Sequence, residues 1–272
     1  MTEREMKQGR CLAIDTSTSA MTVAILENGH LLGEISSHAE RNHSIGLLPH
    51  IQDLLARLGM KPRDLRFVAA GQGPGSYTGV RIAVSVAKTF AWSLGLDLIG
   101  ISSLEAMALG GSVKNDYLTD GITWVIPLMD GRRKQAFTAV YRYEGATAIT
   151  ADRAPDASWT EVLADGIRVI GAWTEQVLTL AKSNTSEAPT HIVFVGETAG
   201  FATELERFAS EFTGQVSVIP YGIEAEYIGL LAHPRYARGE RADVHTFVPN
   251  YTRLPEAEAN LLSGLQTKKG EL

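Results

Sequence analysis

Two stretches of this chain carry residue types and spacings that bind anions or metals. The first is Gly71-Gln72-Gly73-Pro74-Gly75-Ser76-Tyr77-Thr78-Gly79-Val80-Arg81. Alternating glycines tolerate close approach by other atoms, Pro74 fixes one φ and lacks an N–H, and Ser76 is a good N-cap for the apolar segment that follows. Free amide N–H groups at that helix start would face back across the glycines, the geometry that receives an anion. The same residues also suit a tight turn that lets two elements pack closely. The second stretch is Asp15-Thr16-Ser17-Thr18-Ser19. Its hydroxyls and amides could hold a phosphate, with Asp15 organising a metal or water; Asp and Ser/Thr equally bond their own backbone in tight turns.

The nucleotide templates fail on named residues. A P-loop requires Lys-Ser/Thr after its last glycine, and Gly79 is followed by Val80-Arg81. A dinucleotide fingerprint requires Gly-x-Gly-x-x-Gly, but Ser76 and Thr78 stand where the third glycine would be. Gly73-x-Gly75-Ser76-Tyr77 is not the nucleophile elbow of a serine hydrolase. Of the seven histidines, His43 and His50 are seven apart with Gly46 and Leu47, neither a ligand, at i+3 and i+4 of the first; His38 falls in a loop, and His30, His191, His233 and His245 are isolated; no metal site follows. Cys11, the single cysteine, sits in an apolar run and reads as core.

The elements that must position these stretches read as follows. Residues 11–37 give three short strands, with Asn28-Gly29 supplying a two-residue hairpin turn. Leu47, Leu48, Ile51, Leu54, Leu55 and Leu58 follow the helical stripe over 43–59, with Pro49 near the start and Gly59 as the stop. A strand at 67–71 leads into the glycines and a helix over 76–94. Val80, Ala83, Val84, Ala87, Phe90, Ala91 and Leu94 stripe that helix, while Ile82 and Val86 lie off the stripe. A helix apolar nearly all round is buried on more than one side, by its own chain or by a partner. A strand at 97–101 and a helix opened by the capping box Ser102-x-x-Glu105 close this unit. The glycine-rich stretch Gly110-Gly111 to Gly121 marks a boundary.

The second unit opens with a strand Ile122 to Met129, turns at Asp130-Gly131 and returns through Gln135 to Tyr143. Helical patterns at 159–164 and 172–182, a strand 192–195, a helix 198–213, a strand 216–219 and a last helix 223–238 follow. An irregular tail begins at Val244. Hairpin first, then helix–strand–helix, occurs twice. The expected division is a first lobe 1–110, a second lobe 111–243 whose last helix packs back on the first lobe, and a tail 244–272.

At 272 residues, 44% apolar and 21% charged, the chain can bury a sizeable core. No run approaches the roughly 18 apolar residues of a membrane span, Met1 to Arg10 lacks a signal-peptide core, and one cysteine fits a reducing compartment; the expectation is a cytoplasmic protein with no membrane partner. Net charge is −6, and Arg132-Arg133-Lys134 is the densest basic group. This argues against tight nucleic-acid binding by the chain alone.

Ala13-Ile14-Asp15-Thr16-Ser17 combined with Gly73-Pro74-Gly75-Ser76-Tyr77-Thr78-Gly79-Val80-Arg81-Ile82 resembles the TsaB (YeaZ-like) family. That family supplies the non-catalytic dimerisation subunit of bacterial tRNA threonylcarbamoyladenosine synthesis. His43-Ser44, Leu47-Leu48-Pro49, Ile99-Gly100-Ile101-Ser102-Ser103-Leu104 and Pro249-x-Tyr251-x-Arg253 with Glu256-Ala257-Glu258 extend the match. The first hundred residues match closely and the second half in outline. Thr252 stands where the family usually has leucine, and 1–10 and 260–272 are extensions.

The resemblance implies an α/β fold of two tandem RNase-H-like lobes of the actin/Hsp70-like ATPase superfamily. There the first hairpin turn is a phosphate loop, which makes Asp15, Thr16 and Ser17, with Gly73, Gly75 and Ser76, phosphate-loop-like; the glycines of working ATPases are lacking. It implies that helices 43–58 and 76–94 meet a TsaD-like catalytic paralogue, or a second copy, through His43, Leu47, Leu48, Ile51, Leu55, Val80, Ala83, Val84, Ala87 and Ala91. A TsaE-like ATPase joins the assembly, tRNA is met only through the complex, and any nucleotide sits at the partner interface, with no cofactor in the isolated chain. The TsaD relatives carry His-x-x-x-His just after the glycine stretch, whereas Ser103 and Met107 hold those positions here. These are poor ligands for the metal expected there, so no catalytic residue is assigned. The alternatives are an independent ATPase or small-molecule kinase of the same fold and, more remotely, a metallopeptidase.

Overall fold

The computed structural model describes residues 9–38, 43–118, 121–145, 158–183 and 188–252, with backbone only at 43–45. Two five-stranded sheets carry the same plan. The first has the order β3-β2-β1-β4-β5, from β1 Arg10–Asp15, β2 Ala20–Glu27, β3 His30–His38, β4 Phe67–Gly71 and β5 Asp97–Ile101. The second has the order β10-β9-β6-β7-β8, from β6 Ile122–Arg132, β7 Gln135–Glu144, β8 Trp159–Val169, β9 His191–Gly196 and β10 Gln215–Pro220. In each, the first three strands run antiparallel and the last two parallel to the first. These are two RNase-H-like lobes in tandem. Among the described residues no helix is long and apolar enough to cross a membrane.

Alternation along the central strands divides the core. On β1, Leu12 and Ile14 face one side and Cys11 and Ala13 the other, all fully buried. The outer face of the first sheet receives α1 His43–Arg57 and α2 Tyr77–Leu94, which pack beside each other. The outer face of the second sheet receives α4 Ile170–Ser183 and α5 Ala202–Glu211. The shared interior holds α3 Ser103–Lys114 and α6 Ala225–Ala237. These two exchange places: α3, from the first half of the chain, lies on β6, β7 and β9, whereas α6, from the second half, lies on β1 and β2. The small inner-face residues Ala13, Ala24 and Ala69 let α6 sit close.

Several local readings match what forms. Asn28 and Gly29 both take positive φ in the first hairpin turn, between the paired Glu27 and His30. Ser102 caps α3 by accepting from the Glu105 N–H at 3.2 Å. Gly59 ends α1, the Met60 N–H reaching back to the Leu55 carbonyl at 2.8 Å in a Schellman closure.

Three expectations are corrected. Residues 159–164 are not helical but open β8; β8 itself bulges twice, between Glu161 and Leu163 and between Leu163 and Gly166, which resets the side-chain phase, so the period-2 signal is lost and pairing with β7 decides. The second hairpin turns at Arg133-Lys134, not at Asp130-Gly131, because Arg132 pairs with Gln135 and a bulge absorbs Gly131. The Asp130 carboxylate holds that bulge by accepting from the Arg132 N–H at 2.7 Å, and Arg132, Arg133 and Lys134 all take positive φ. Gly110-Gly111 is helix interior: α3 runs on to Lys114, and the missing side chains admit Tyr221, Tyr227 and Val195.

Candidate functional site

The two stretches singled out for anion binding meet each other. The Asp15 carboxylate, fully buried, accepts from the Ser17 N–H and hydroxyl through Oδ1, both at 2.7 Å, and from the Ser103 hydroxyl through Oδ2 at 2.6 Å. Ser103 Oγ in turn accepts from the Gly73 N–H at 3.1 Å. The Thr16 hydroxyl donates to the Gly79 carbonyl at 2.6 Å and accepts from the Ala83 N–H at 3.2 Å. The Ser76 N–H donates to the Ser17 carbonyl at 2.7 Å, and its hydroxyl accepts from the Gly79 N–H.

Close approach is why glycines stand here. A Cβ on Gly71 would lie 1.8 Å from Asp15 Oδ2, one on Gly75 2.4 Å from the Ser17 carbonyl oxygen, and one on Gly79 2.0 Å from the Thr16 carbonyl oxygen. The glycine stretch forms a close-packing turn. The polar atoms of Asp15, Thr16 and Ser17 bond to the glycine stretch and the helices behind it. Burial pushes the Asp15 carboxyl above its usual range, and the hydrogen bonds from Ser103 and Ser17 only partly oppose this.

The residues expected to face a partner divide differently from the expectation. Leu47, Ile51 and Leu55 on α1 and Val80, Ala83, Val84, Ala87 and Ala91 on α2 are buried against the chain's own first sheet. Their small size fits α2 onto that sheet, which corrects their reading as the partner-facing stripe. The His43 side chain lies outside the described residues. What the two helices present outward is Leu48 on α1 with Tyr77, Leu94 and Trp92 on α2, and Trp92 is 70% exposed.

Beside that face lies the tail, which the sequence marked only as irregular. The segment leading into it binds β5 through the Ala242 N–H to the Leu98 carbonyl at 2.7 Å, and the tail itself meets α2 through Lys88 Nζ, which donates to the Phe247 carbonyl at 2.9 Å. Arg81 lies between Tyr77 and Tyr251, its guanidinium carbon 3.9 and 5.6 Å from the ring centres, and donates to the Tyr251 hydroxyl at 2.8 Å. The Asn250 N–H then donates to the Gln72 carbonyl while its side-chain amide donates to Asp165 at 3.1 Å, joining the glycine stretch to β8 of the other lobe.

Asp165 centres a polar network that sequence reading missed. It also accepts from the Ser102 hydroxyl at 2.8 Å and the Tyr141 hydroxyl at 3.1 Å. Burial raises its carboxyl, these donors opposing, and raises Tyr141 well above the ordinary phenol. Next to it Glu105, also raised by burial, is ion-paired to Arg235 at 2.7 Å. Separations of 63 and 85 residues (Ser102 and Asn250 from Asp165) left no local signal. Ser103 and Met107, where the resemblance led us to look for histidines, are both fully buried. Ser103 is spent on Asp15 and Gly73, and Met107 Sδ lies where a side chain on Gly196 would go.

A family model described as "TsaD: tRNA N6-adenosine threonylcarbamoyltransferase" matches residues 31–261. The tRNA threonylcarbamoyladenosine biosynthesis protein TsaB of Bacillus subtilis is 34% identical over 248 residues, 91% of this chain and 96% of that one. The TsaB protein of Escherichia coli is 38% identical over 136 residues, 49% of this chain and 55% of that one. A solved structure of YeaZ from Pseudomonas aeruginosa, 22% identical, superposes with a TM-score of 0.68 over 89% of this chain and 99% of that one, which shows the shared fold. The chain therefore belongs to the TsaB family, and with it to the broader TsaD-type family whose model spans most of its length.

Proposed function

We propose that this chain is a non-catalytic scaffold and activator subunit in the synthesis of tRNA N6-threonylcarbamoyladenosine, and that it binds a TsaD-like catalytic paralogue through the outer faces of α1 and α2. The names of its relatives support the pathway. The outward apolar residues of α1 and α2 carry the scaffold reading, Trp92 above all: a tryptophan 70% exposed on a helix otherwise packed into its own lobe suits a partner's pocket. The loss of histidines at Ser103 and Met107, with both side chains engaged elsewhere, supports a subunit without the metal chemistry of its catalytic relatives. In this reading a TsaE-like ATPase joins the assembly in the cytoplasm, a second copy of the chain can occupy the same helices when the paralogue is absent, and tRNA is met only through the complex. A nucleotide, where one is used, sits at the partner interface.

The test mixes the chain with its TsaD-like paralogue and measures heterodimer formation and modification of tRNA in vitro. Trp92→Arg or Leu48→Arg should weaken association at least tenfold while the isolated chain unfolds at an unchanged denaturant midpoint, since exposed substitutions away from special features move stability by about 0.5 kcal/mol or less. Ala83 and Ala87 are unsuitable for this test because they are core. Association that survives both variants would move the interface elsewhere, and modification proceeding equally without the chain would end the scaffold reading. The reading as an independent ATPase draws no support from the Asp15–Ser17 turn, whose polar groups bond within the chain. Stoichiometric calorimetric binding of ATP with Mg²⁺ to the isolated chain would revive it.

A further inference from the structure

Away from both helices and the glycine stretch, three carboxylates converge where the lobes join. Glu34 on β3, Glu224 just before α6, and Glu226 in its first turn each bring an oxygen within 4.8 Å of the others. Glu34 Oε1 is held by the Thr22 hydroxyl and the Ala225 N–H, both at 2.7 Å, so its position is fixed by β2 and the start of α6. Lys114, at the end of α3, is ion-paired to Glu224. One ammonium against three carboxylates leaves two formal negative charges in a half-buried space.

A second observation points into the same space. Tyr227 is fully buried, and its hydroxyl has no hydrogen-bond partner among the described residues. The Tyr221 hydroxyl is likewise buried and unpartnered. Both rings enter where α3 has Gly110: a Cβ there would meet Tyr221 Oη at 2.3 Å and Tyr227 Cδ2 at 2.6 Å. Gly110 lies one helical turn before Lys114, the ion-pair partner of Glu224, and Tyr227 directly follows Glu226 on α6, so the phenols and the carboxylates share the junction of α3 with the start of α6. Buried polar groups are nearly always partnered, so two orphan hydroxyls beside an uncompensated acidic group mark a place for a ligand.

We propose that Glu34, Glu224 and Glu226 bind one hard divalent cation, of the Ca²⁺ or Mg²⁺ class, whose coordinated waters hydrogen-bond to the Tyr227 and Tyr221 hydroxyls. An all-oxygen, carboxylate-rich donor set selects such ions over zinc or copper. Two positive charges balance the two left by Lys114, and metal-bound waters are the donors the phenol oxygens lack. Bridging β3 to the start of α6 beside the end of α3, the ion would tie the two lobes together at their junction.

The test uses the full chain, stripped with chelator, and Tb³⁺ as a luminescent stand-in for Ca²⁺. Tyrosine excitation should sensitise Tb³⁺ emission, and Ca²⁺, Mg²⁺ or Mn²⁺ should quench it by competition and raise the unfolding temperature; the strongest competitor identifies the class member. Glu226→Gln should weaken binding about tenfold or more, and Tyr227→Phe should lower emission at saturation while leaving affinity within about threefold. Neutralising one carboxylate relieves like-charge crowding, so Glu226→Gln should fold; if it does not, Glu224→Gln gives the same readout. Emission of equal affinity in the wild type and the Glu→Gln variant would overturn the site, as would the absence of both sensitised emission and any thermal shift.

Discussion

Adding one methyl group at Gly79 tests whether the glycine stretch exists to seat the Asp15–Ser17 turn. In Gly79→Ala the new carbon would lie 2.0 Å from the Thr16 carbonyl oxygen, which is backbone and cannot swing aside. Reaching ordinary contact requires more than about 1 Å of relative movement, and overpacking of this kind costs about 1–3 kcal/mol. The same shift stretches the Thr16–Gly79, Ala83–Thr16 and Ser76–Ser17 hydrogen bonds, each contributing about 0.5–1.5 kcal/mol net. Against this stands a helix-propensity gain of up to about 1 kcal/mol. The net expectation is a loss of about 3 kcal/mol, a large share of the 5–15 kcal/mol typical of a domain. Gly95→Ala, at the other end of α2, is the control. Gly95 takes φ 64° with no atom within 4 Å of a built Cβ, so only left-handed backbone strain of about 1–2 kcal/mol applies. Urea unfolding of the isolated chain, followed by circular dichroism and Trp fluorescence, should separate the two variants by roughly 1–2 kcal/mol. Equal midpoints, or a weaker Gly95→Ala, would mean that the turn does not rest on the start of α2.

The buried carboxyls should contribute stability that grows on acidification. Asp15, Glu34, Glu105, Asp165 and Glu226 all have carboxyls raised above their unfolded values, chiefly by burial. The native state therefore holds more protons than the unfolded chain above the ordinary carboxylate range, and stability is lost as pH rises through the native values. Burial lowers His233, to about 4, and His191, and these oppose the carboxyls as pH falls below the ordinary histidine value. With chelator present, the stability difference between wild type and Asp15→Asn should therefore grow from neutral pH down towards about pH 5, and a difference that stays constant or shrinks contradicts this. Cys11, fully buried and with its thiol pushed up by desolvation, should resist aromatic disulfide reagents in the native chain and react once per chain in denaturant. Rapid native labelling would place it elsewhere.

What the sequence made legible followed local rules. The Asn28-Gly29 turn, the Ser102 cap, the Gly59 stop and the stripes of α1 and α2 all depend on residues within a turn or two of each other. The repeated plan was visible because each sheet begins with a hairpin. What could not be read depended on distant partners. The apolar stripe of α2 announces burial but not against what, and its small residues serve the chain's own β4 rather than another molecule. On β8 the alternation is scrambled by bulges in the strand itself, so a strand resembled a helix. The Asp165 network draws on β7, β8, the cap of α3 and the tail, and Tyr251 reaches Arg81 across 170 residues. The three acids of the lobe junction lie on β3 and at the start of α6, with nothing in either segment to announce the other.

The exchange of α3 and α6 between lobes bears on how the chain emerges from the ribosome. The first sheet is complete once Ile101 is made, yet the inner face of β1 and β2 waits for a helix that ends only at Ala237. At bacterial elongation rates that interval is on the order of ten seconds. Throughout it, Cys11, Ala13, Ala24 and Leu26 form an open apolar surface, and α3 has no second sheet to rest on. Neither lobe is thus a unit that can finish folding while its neighbour is still being synthesised. A nascent chain stalled before residue 225 should stay sensitive to protease and hold on to a ribosome-associated chaperone, with release coinciding with the arrival of α6.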